Sequence, residues 1–187
     1  AFHHVKIYSD SMQGVADSLF YSLADSTIRL HNKPILWVNE NQITGDTIYM
    51  HLNNKKAEQL RILNNAMAIS PVDSTDYFNQ LKGNSIIVDF MDGKIHKMQT
   101  KGSAENIYFT TDDEGKFIGV NQSNAQIITI DFNNDEPVKI VFINQLTGKM
   151  TPMFDLPKSE LKLNNFKWLI DLKPMSKFDI LSPKGKL

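Results

Sequence analysis

Apolar and polar residues alternate with a period of two along much of the chain. Thr47-Ile48-Tyr49-Met50-His51-Leu52 alternates in this way. So do Asn84-Ser85-Ile86-Ile87-Val88-Asp89-Phe90, with one extra apolar residue, and Ala125-Gln126-Ile127-Ile128-Thr129-Ile130-Asp131-Phe132. Alternation over such lengths predicts strands with one buried face, and the β-branched and aromatic residues in these runs favour the same state. Turn residues separate the runs at Asn53-Asn54, Asp92-Gly93, Asp113-Glu114-Gly115, Asn133-Asn134-Asp135 and Thr147-Gly148. Asp92-Gly93, between Phe90-Met91 and Lys94-Ile95, predicts a two-residue hairpin. Helix patterns are scarce. Pro157-Lys158-Ser159-Glu160-Leu161 reads either as a short helix near 157–163, with Pro157 in its first turn and Glu160 near its amino end, or as a plain turn.

The pattern also repeats. Ile43-Thr44-Gly45-Asp46-Thr47-Ile48 is matched in character by Leu81-Lys82-Gly83-Asn84-Ser85-Ile86, and more loosely by Val15-Ala16-Asp17-Ser18-Leu19 and Gln122-Ser123-Asn124-Ala125-Gln126. Aligned on Asp17, Asp46, Asn84 and Asn124, the copies are 29, 38 and 40 residues apart. Each copy is followed by a second strand pattern: Thr27–Leu30, Gln59–Leu63, Lys94–Met98 and Val138–Phe142. Asn65-Ala66 and Ser103-Ala104 read as leads into the next unit. A strand pair cannot bury its apolar face alone, so the units are expected to stack around one continuous core. Their irregular spacing argues against a solenoid of fixed coil length and for a curved, two-sheeted body. The alignment puts Ile48, Met50 and Leu52 on one face with Ile86, Val88 and Phe90, and with Ile128 and Ile130.

Composition narrows the function classes. The chain has 187 residues, 41% apolar and 22% charged, which is ordinary globular composition. Lys plus Arg is 20 and Asp plus Glu is 21, a net charge of −1, so no basic excess exists to draw nucleic acid. The absence of cysteine excludes disulfides, thiolate metal sites and a Cys nucleophile. No stretch approaches the roughly 18 apolar residues of a membrane helix. The chain opens Ala1-Phe2-His3-His4 without Met, so a removed signal peptide is expected. His3, His4, His31, His51 and His96 are scattered without metal-ligand spacing. Asp131–Glu136 faintly resembles a calcium loop, but Glu136 and Phe142 stand where that loop needs Gly and Glu. Asp112-Asp113-Glu114 reads as a solvated turn, and nucleophile-elbow and phosphate-loop glycine patterns are missing. The reading is a non-enzyme with no metal and no cofactor.

Further motifs occur in a fixed order: Asp17-Ser18-Leu19-Phe20-Tyr21, Asp25–Leu30, Pro34-Ile35-Leu36-Trp37, Asn41–Asp46, Phe78-Asn79-Gln80-Leu81-Lys82-Gly83, Gly102–Phe109, Phe117–Asn121, Phe166-Lys167-Trp168 and Lys173-Pro174. This string, spread over roughly residues 5 to 180, resembles the OstA-like proteins of Bacteroidetes-type bacteria, related to the LptA and LptC proteins of lipopolysaccharide transport. The resemblance implies an all-β fold, an open, curved two-sheet β-jelly-roll of repeated antiparallel strand units. Residues 1–155 would form that domain, and 156–187 a C-terminal segment packing on it or extending it. Members are often longer, so this chain is expected to be one part of a larger protein. The implied location is the periplasm or the periplasmic face of the outer membrane. The implied partners are lipopolysaccharide or another acylated lipid, and other transport proteins or further copies through edge-strand pairing.

Acyl chains would lie in an apolar trough between the sheets. The candidate lining residues are Ile28, Leu30 and Trp37; Ile48 and Met50; Leu60 and Ile62; Ile86, Val88 and Phe90; and Met98, Ile128 and Ile130. Each of these also fits a plain sealed core, and the sequence does not locate an opening. A non-catalytic scaffold with a closed core and pairing edges is the rival reading. A carbohydrate-binding sandwich ranks last, because Tyr8, Tyr21, Tyr49, Tyr77 and Tyr108 do not line up on one face.

Overall fold

In the computed structural model, residues 2–72, 76–112, 114–134, 136–152 and 155–181 are described. Asp113 and Asp135, in two of the expected turns, lie outside them. The strands are β1 (Phe2–Tyr8), β2 (Met12–Ser22), β3 (Thr27–His31), β4 (Ile35–Val38), β5 (Asn41–Thr44), β6 (Thr47–Asn53), β7 (Lys56–Pro71), β8 (Phe78–Met91), β9 (Lys94–Thr111), β10 (Phe117–Asn133), β11 (Glu136–Ile143) and β12 (Thr147–Thr151). They form one 12-stranded sheet whose strand pairs are all antiparallel.

The register shows that the sheet is folded across its own strands. β2 pairs with β4 through its first half and with β3 through its second. β7 pairs with β6 and then with β5, and β10 with β12 and then with β11. The short strands β3 and β4 are therefore two halves of one bent strand, as are β5 and β6, and β11 and β12. Each long strand from β2 onward, and each pair of short strands taken as one bent strand, thus contributes a stretch to two facing layers. The first layer holds β3, β6, β11 and the adjoining halves of the long strands. The second holds β4, β5, β12 and the other halves. This is the open two-sheet jelly-roll expected from the sequence.

The bends follow one rule. On strands running from the first layer to the second through β3–β4, β7, β9 and β11–β12, two consecutive residues take positive φ: Asn32 and Lys33 (63° and 58°), Asn64 and Asn65 (57° and 50°), Gly102 and Ser103 (77° and 48°), and Asn144 and Gln145 (59° and 52°). Such a pair turns the chain out of the extended direction, and Asn and Gly tolerate it best. The facing strand answers with a side chain across the bend. Asn32 donates to Asp17 at 2.9 Å, Asn65 to Asp46 at 3.0 Å, and Asn144 to Gln126 at 2.9 Å. At the fourth bend, Asn84 packs directly over Gly102. The Asn32 hydrogen bond, helped by His3, holds the Asp17 carboxyl below the ordinary carboxylate range.

The sequence repeat is this bend. Asp17, Asp46 and Asn84 are its equivalent positions, but the fourth is Gln126, two residues beyond the Asn124 of the alignment. Asn65-Ala66 and Ser103-Ala104 lie within long strands at the bend rather than between units. Inside the fold, where the layers converge, the residues are small: Ala16, Ala66 and Ala104 are fully buried, with Gly45 and Gly83 between them. Asp92-Gly93 forms the expected tight hairpin, both residues at positive φ (53° and 78°). Thr147-Gly148 does not turn. It begins β12, and the chain bends without reversing at Asn144-Gln145. Near 157–163 the chain makes one 3-10 turn, Lys158–Leu161, with Pro157 as its extended cap rather than in its first turn.

Between 155 and 181 the chain crosses the outer face of the second layer as a strap. Outward-facing glutamines hold it, Gln42 and Gln80 buried beneath it. The Gln42 amide donates to the Lys167 carbonyl and accepts from the Leu169 N–H, each at 2.7 Å. Gln80 does the same to the Leu161 carbonyl and the Leu163 N–H, each at 2.8 Å. Gln122 donates to the Glu160 carbonyl at 2.8 Å. Each of the first two side chains thus stands in for a strand edge, satisfying a carbonyl and the N–H two residues on. Strand register places Gln13, Trp37, Gln42, Ile69, Gln80, Ile107 and Gln122 in one row across the layer.

Two outcomes test this architecture. A Cβ on Gly83 would meet the Thr100 methyl at 2.5 Å and the Lys101 carbonyl at 3.2 Å. Gly83→Ala is expected to cost about 1–3 kcal/mol in denaturant unfolding, as overpacking does. Gln80→Leu strips the partners from Leu161 and Leu163. Hydrogen exchange of the Leu163 amide should accelerate, and protease should cut at Lys162 or Lys167 while the strands stay protected. Unchanged exchange at Leu163 would show that the glutamine clamp does not hold the strap.

Candidate functional site at the mouth between the layers

Opposite the bend, the two layers end in turns that do not meet. The apolar interior is sealed near the bend and accessible at this mouth. Leu30, Ile48, Leu60, Ile62, Ile86 and Ile128 are fully buried, as is Val88. Ile28, Leu52, Ala57, Phe90 and Phe132 belong to the same apolar cluster but are only partly buried. The gradient follows from geometry, since positions nearer the bend have the facing layer closer.

One cavity of about 430 Å³ opens at the mouth. Its walls include Ile28, Met50, Leu52, Ala57 and Phe90 from the first layer and Met12 and Val38 from the second, with Ile7 of β1 beside them. Lys55, Lys56 and Asp92 stand at its rim in the hairpin turns. A smaller cavity of about 80 Å³ lies further along. Met98, Ile130, Phe132 and Pro137 form its first-layer wall. Asn41, Ser70, Asn79, Asn106 and Tyr108 face them from the second layer. Burial raises the Tyr108 phenol above its ordinary pKa.

The expected lining residues therefore divide. Ile28, Met50 and Phe90 line the larger cavity, and Met98 and Ile130 the smaller. Leu30, Ile48, Leu60, Ile62, Ile86, Val88 and Ile128 form the sealed core behind them, away from both cavities. Trp37 is a correction. It is fully buried, but with Val15, Ile35, Leu169 and Leu172 under the strap, on the opposite side of the second layer. Alternation along β4 explains this, because Leu36 and Val38 point into the interior core and Ile35 and Trp37 away from it. The sequence reading missed Ile7, Met12, Val38, Ala57 and Phe132 at the mouth. It placed Leu52 on the inward face without counting it in the lining. Shifting the repeat to Gln126 would have added Phe132, which then aligns with Leu52 and Phe90.

Titratable groups offer little chemistry here. Among the described residues no three His, Cys, Asp or Glu side chains gather where they could hold a metal. No described helix is long and apolar enough to cross a membrane.

No protein-family model matches the chain, and no curated protein matches it. Among solved structures it is similar to the crystal structure of LptH, the LptA-homologous periplasmic component of the conserved lipopolysaccharide transport device of Pseudomonas aeruginosa. The TM-score is 0.59 at 11% sequence identity, over 75% of this chain and 95% of that one. At that identity the likeness establishes a shared β-jelly-roll fold.

Proposed function

We propose that this chain is a periplasmic, non-catalytic lipid carrier of lipopolysaccharide transport or outer-membrane assembly, which holds acyl chains at the mouth between its two layers. The observation that carries this reading is the apolar lining of the larger cavity, where Ile28, Leu52, Ala57 and Phe90 stay partly exposed over a sealed core. An apolar surface left in contact with water inside a folded body is costly unless something covers it. Each methylene withdrawn from water contributes about 0.8 kcal/mol, so a chain of about a dozen carbons could gain roughly 10 kcal/mol at most with no polar chemistry. A cavity of about 430 Å³ lies within the usual size range of small-molecule pockets. The fold shared with LptH and the ordered OstA-like motifs favour lipopolysaccharide among acylated lipids. The outer strands β1, β11 and β12 each pair with a single neighbouring strand among the described residues, so each leaves an edge to which another transport protein or a second copy could add a strand.

The sealed seven-residue core favours the rival, a scaffold with a closed interior, and one experiment separates the two. Purified protein should retain lipopolysaccharide in native mass spectrometry and lose a fluorescent long-chain probe to it in competition. Phe90→Asp puts a charge on the mouth at a half-buried position. It should weaken lipid binding at least tenfold while leaving a cooperative thermal transition. If the unmodified chain neither retains lipid nor yields the probe, the scaffold reading replaces this one.

A further inference from the structure

The two walls of the smaller mouth cavity differ in chemistry. The first-layer wall is wholly apolar, with Met98, Ile130 and Phe132. The second-layer wall sets Ser70, Asn79, Asn106 and Tyr108 among the apolar Ala68 and Leu81, and strand register makes its polar part continuous: Ser70 lies opposite Asn79, Tyr108 opposite Asn121, and Asn106 opposite Ser123. Asn79 is occupied, its side-chain oxygen accepting the Phe109 N–H at 2.9 Å. Asn106 is not. It is only 4% exposed, and its Nδ2 has no hydrogen-bond partner. Alternation along β9 carries Asn106 to the interior with Ala104, and its cross-strand partner Leu81 is in the same core.

A buried amide donor without a partner is unfavourable, and native proteins retain few of them. A pure hydrocarbon filling the cavity would leave the donor unpaired. A sugar or a free anion would satisfy it and strand its own polar surface against Met98, Ile130 and Phe132. The chemistry that fits both walls is an acceptor oxygen set into an otherwise apolar chain.

On these grounds we infer that the Asn106 wall binds the carbonyl oxygen of an ester- or amide-linked acyl group, fixing where along the mouth the polar end of a lipid chain sits. The inference rests on the lipid reading above and sharpens it from apolar burial alone to recognition of the acyl linkage. A site built to donate a hydrogen bond discriminates against an analogue lacking the acceptor more strongly than an apolar pocket discriminates between chain lengths.

Two lysophospholipids isolate this oxygen: 1-palmitoyl lysophosphatidylcholine and its 1-O-hexadecyl ether, which lacks the carbonyl. With both below their micellar concentrations, calorimetry on the unmodified protein should give about tenfold tighter binding of the ester. Asn106→Leu, close in size, should bind both alike and melt no lower than the parent, since it removes an unpaired buried amide. Equal affinity of the parent protein for ester and ether overturns the assignment and leaves the lipid reading standing. So does an Asn106→Leu variant that keeps the preference. Binding of neither probe overturns both. The comparison on the parent protein decides even if the variant does not fold.

Discussion

The fold depends on one steric constraint. Each long strand after β1, and each bent pair of short strands, must turn between two layers at the same place, and there the layers come closest. A strand cannot bend sharply while keeping extended dihedrals, so one strand of each pair spends two residues at positive φ. Its neighbour must then be small on the inside and polar on the outside. Ala16, Gly45, Gly83 and Ala125 meet the first demand, and Asp17, Asp46, Asn84 and Gln126 the second. Because the bends are stacked, a bulky residue at any one of them would push on the next strand as well.

This constraint explains what could be read from the sequence. Period two is the same in both layers, so alternation revealed strands without revealing that each strand belongs to two layers. The Gly-Asp and Gly-Asn pairs repeated strongly enough to anchor the alignment, while Asn65-Ala66 and Ser103-Ala104 looked like unit boundaries because small and polar residues also make turns. The true role of the glycine pairs needs the partner strand, where Asn64-Asn65 or Gly102-Ser103 supplies the other half of the bend. The fold class and the inward faces survived this misreading, because shifting a boundary by an even number of residues leaves the face unchanged. That is also why Ile128 and Ile130 were placed correctly from Asn124, an origin two residues off.

The site was less legible for a related reason. Ile48 at the core and Leu52 at the mouth belong to one alternating run, and nothing in their chemistry says which end of it water reaches. Distance from the bend decides, and that distance emerges only once Asp46 is known to be the bend. The strap was hidden more deeply. Gln42, Gln80 and Gln122 occupy outward strand positions, where a polar residue ordinarily means solvent. Here they meet backbone brought from more than thirty residues away, and Trp37, in the same row, is buried beneath it.

One signal of this lay in plain view. Asn41-Gln42, Asn79-Gln80 and Asn121-Gln122 are the same dipeptide at equivalent places on three parallel-running segments of the second layer. Alternation sends each Asn inward and each Gln outward. Gln42 and Gln80 grip the strap on one side while Asn41 and Asn79 line the mouth on the other. The strap crosses these strands, so sliding any one of them past the next would break its hydrogen bonds. Among the described residues no such segment crosses the first layer, whose outer face leaves Phe20 exposed. The second-layer wall, which carries Asn79, Asn106 and Tyr108, is therefore the wall that the strap braces. A hydrogen bond tolerates displacement poorly and an apolar contact tolerates it well, so a strap on this side suits the amide donors that the wall carries.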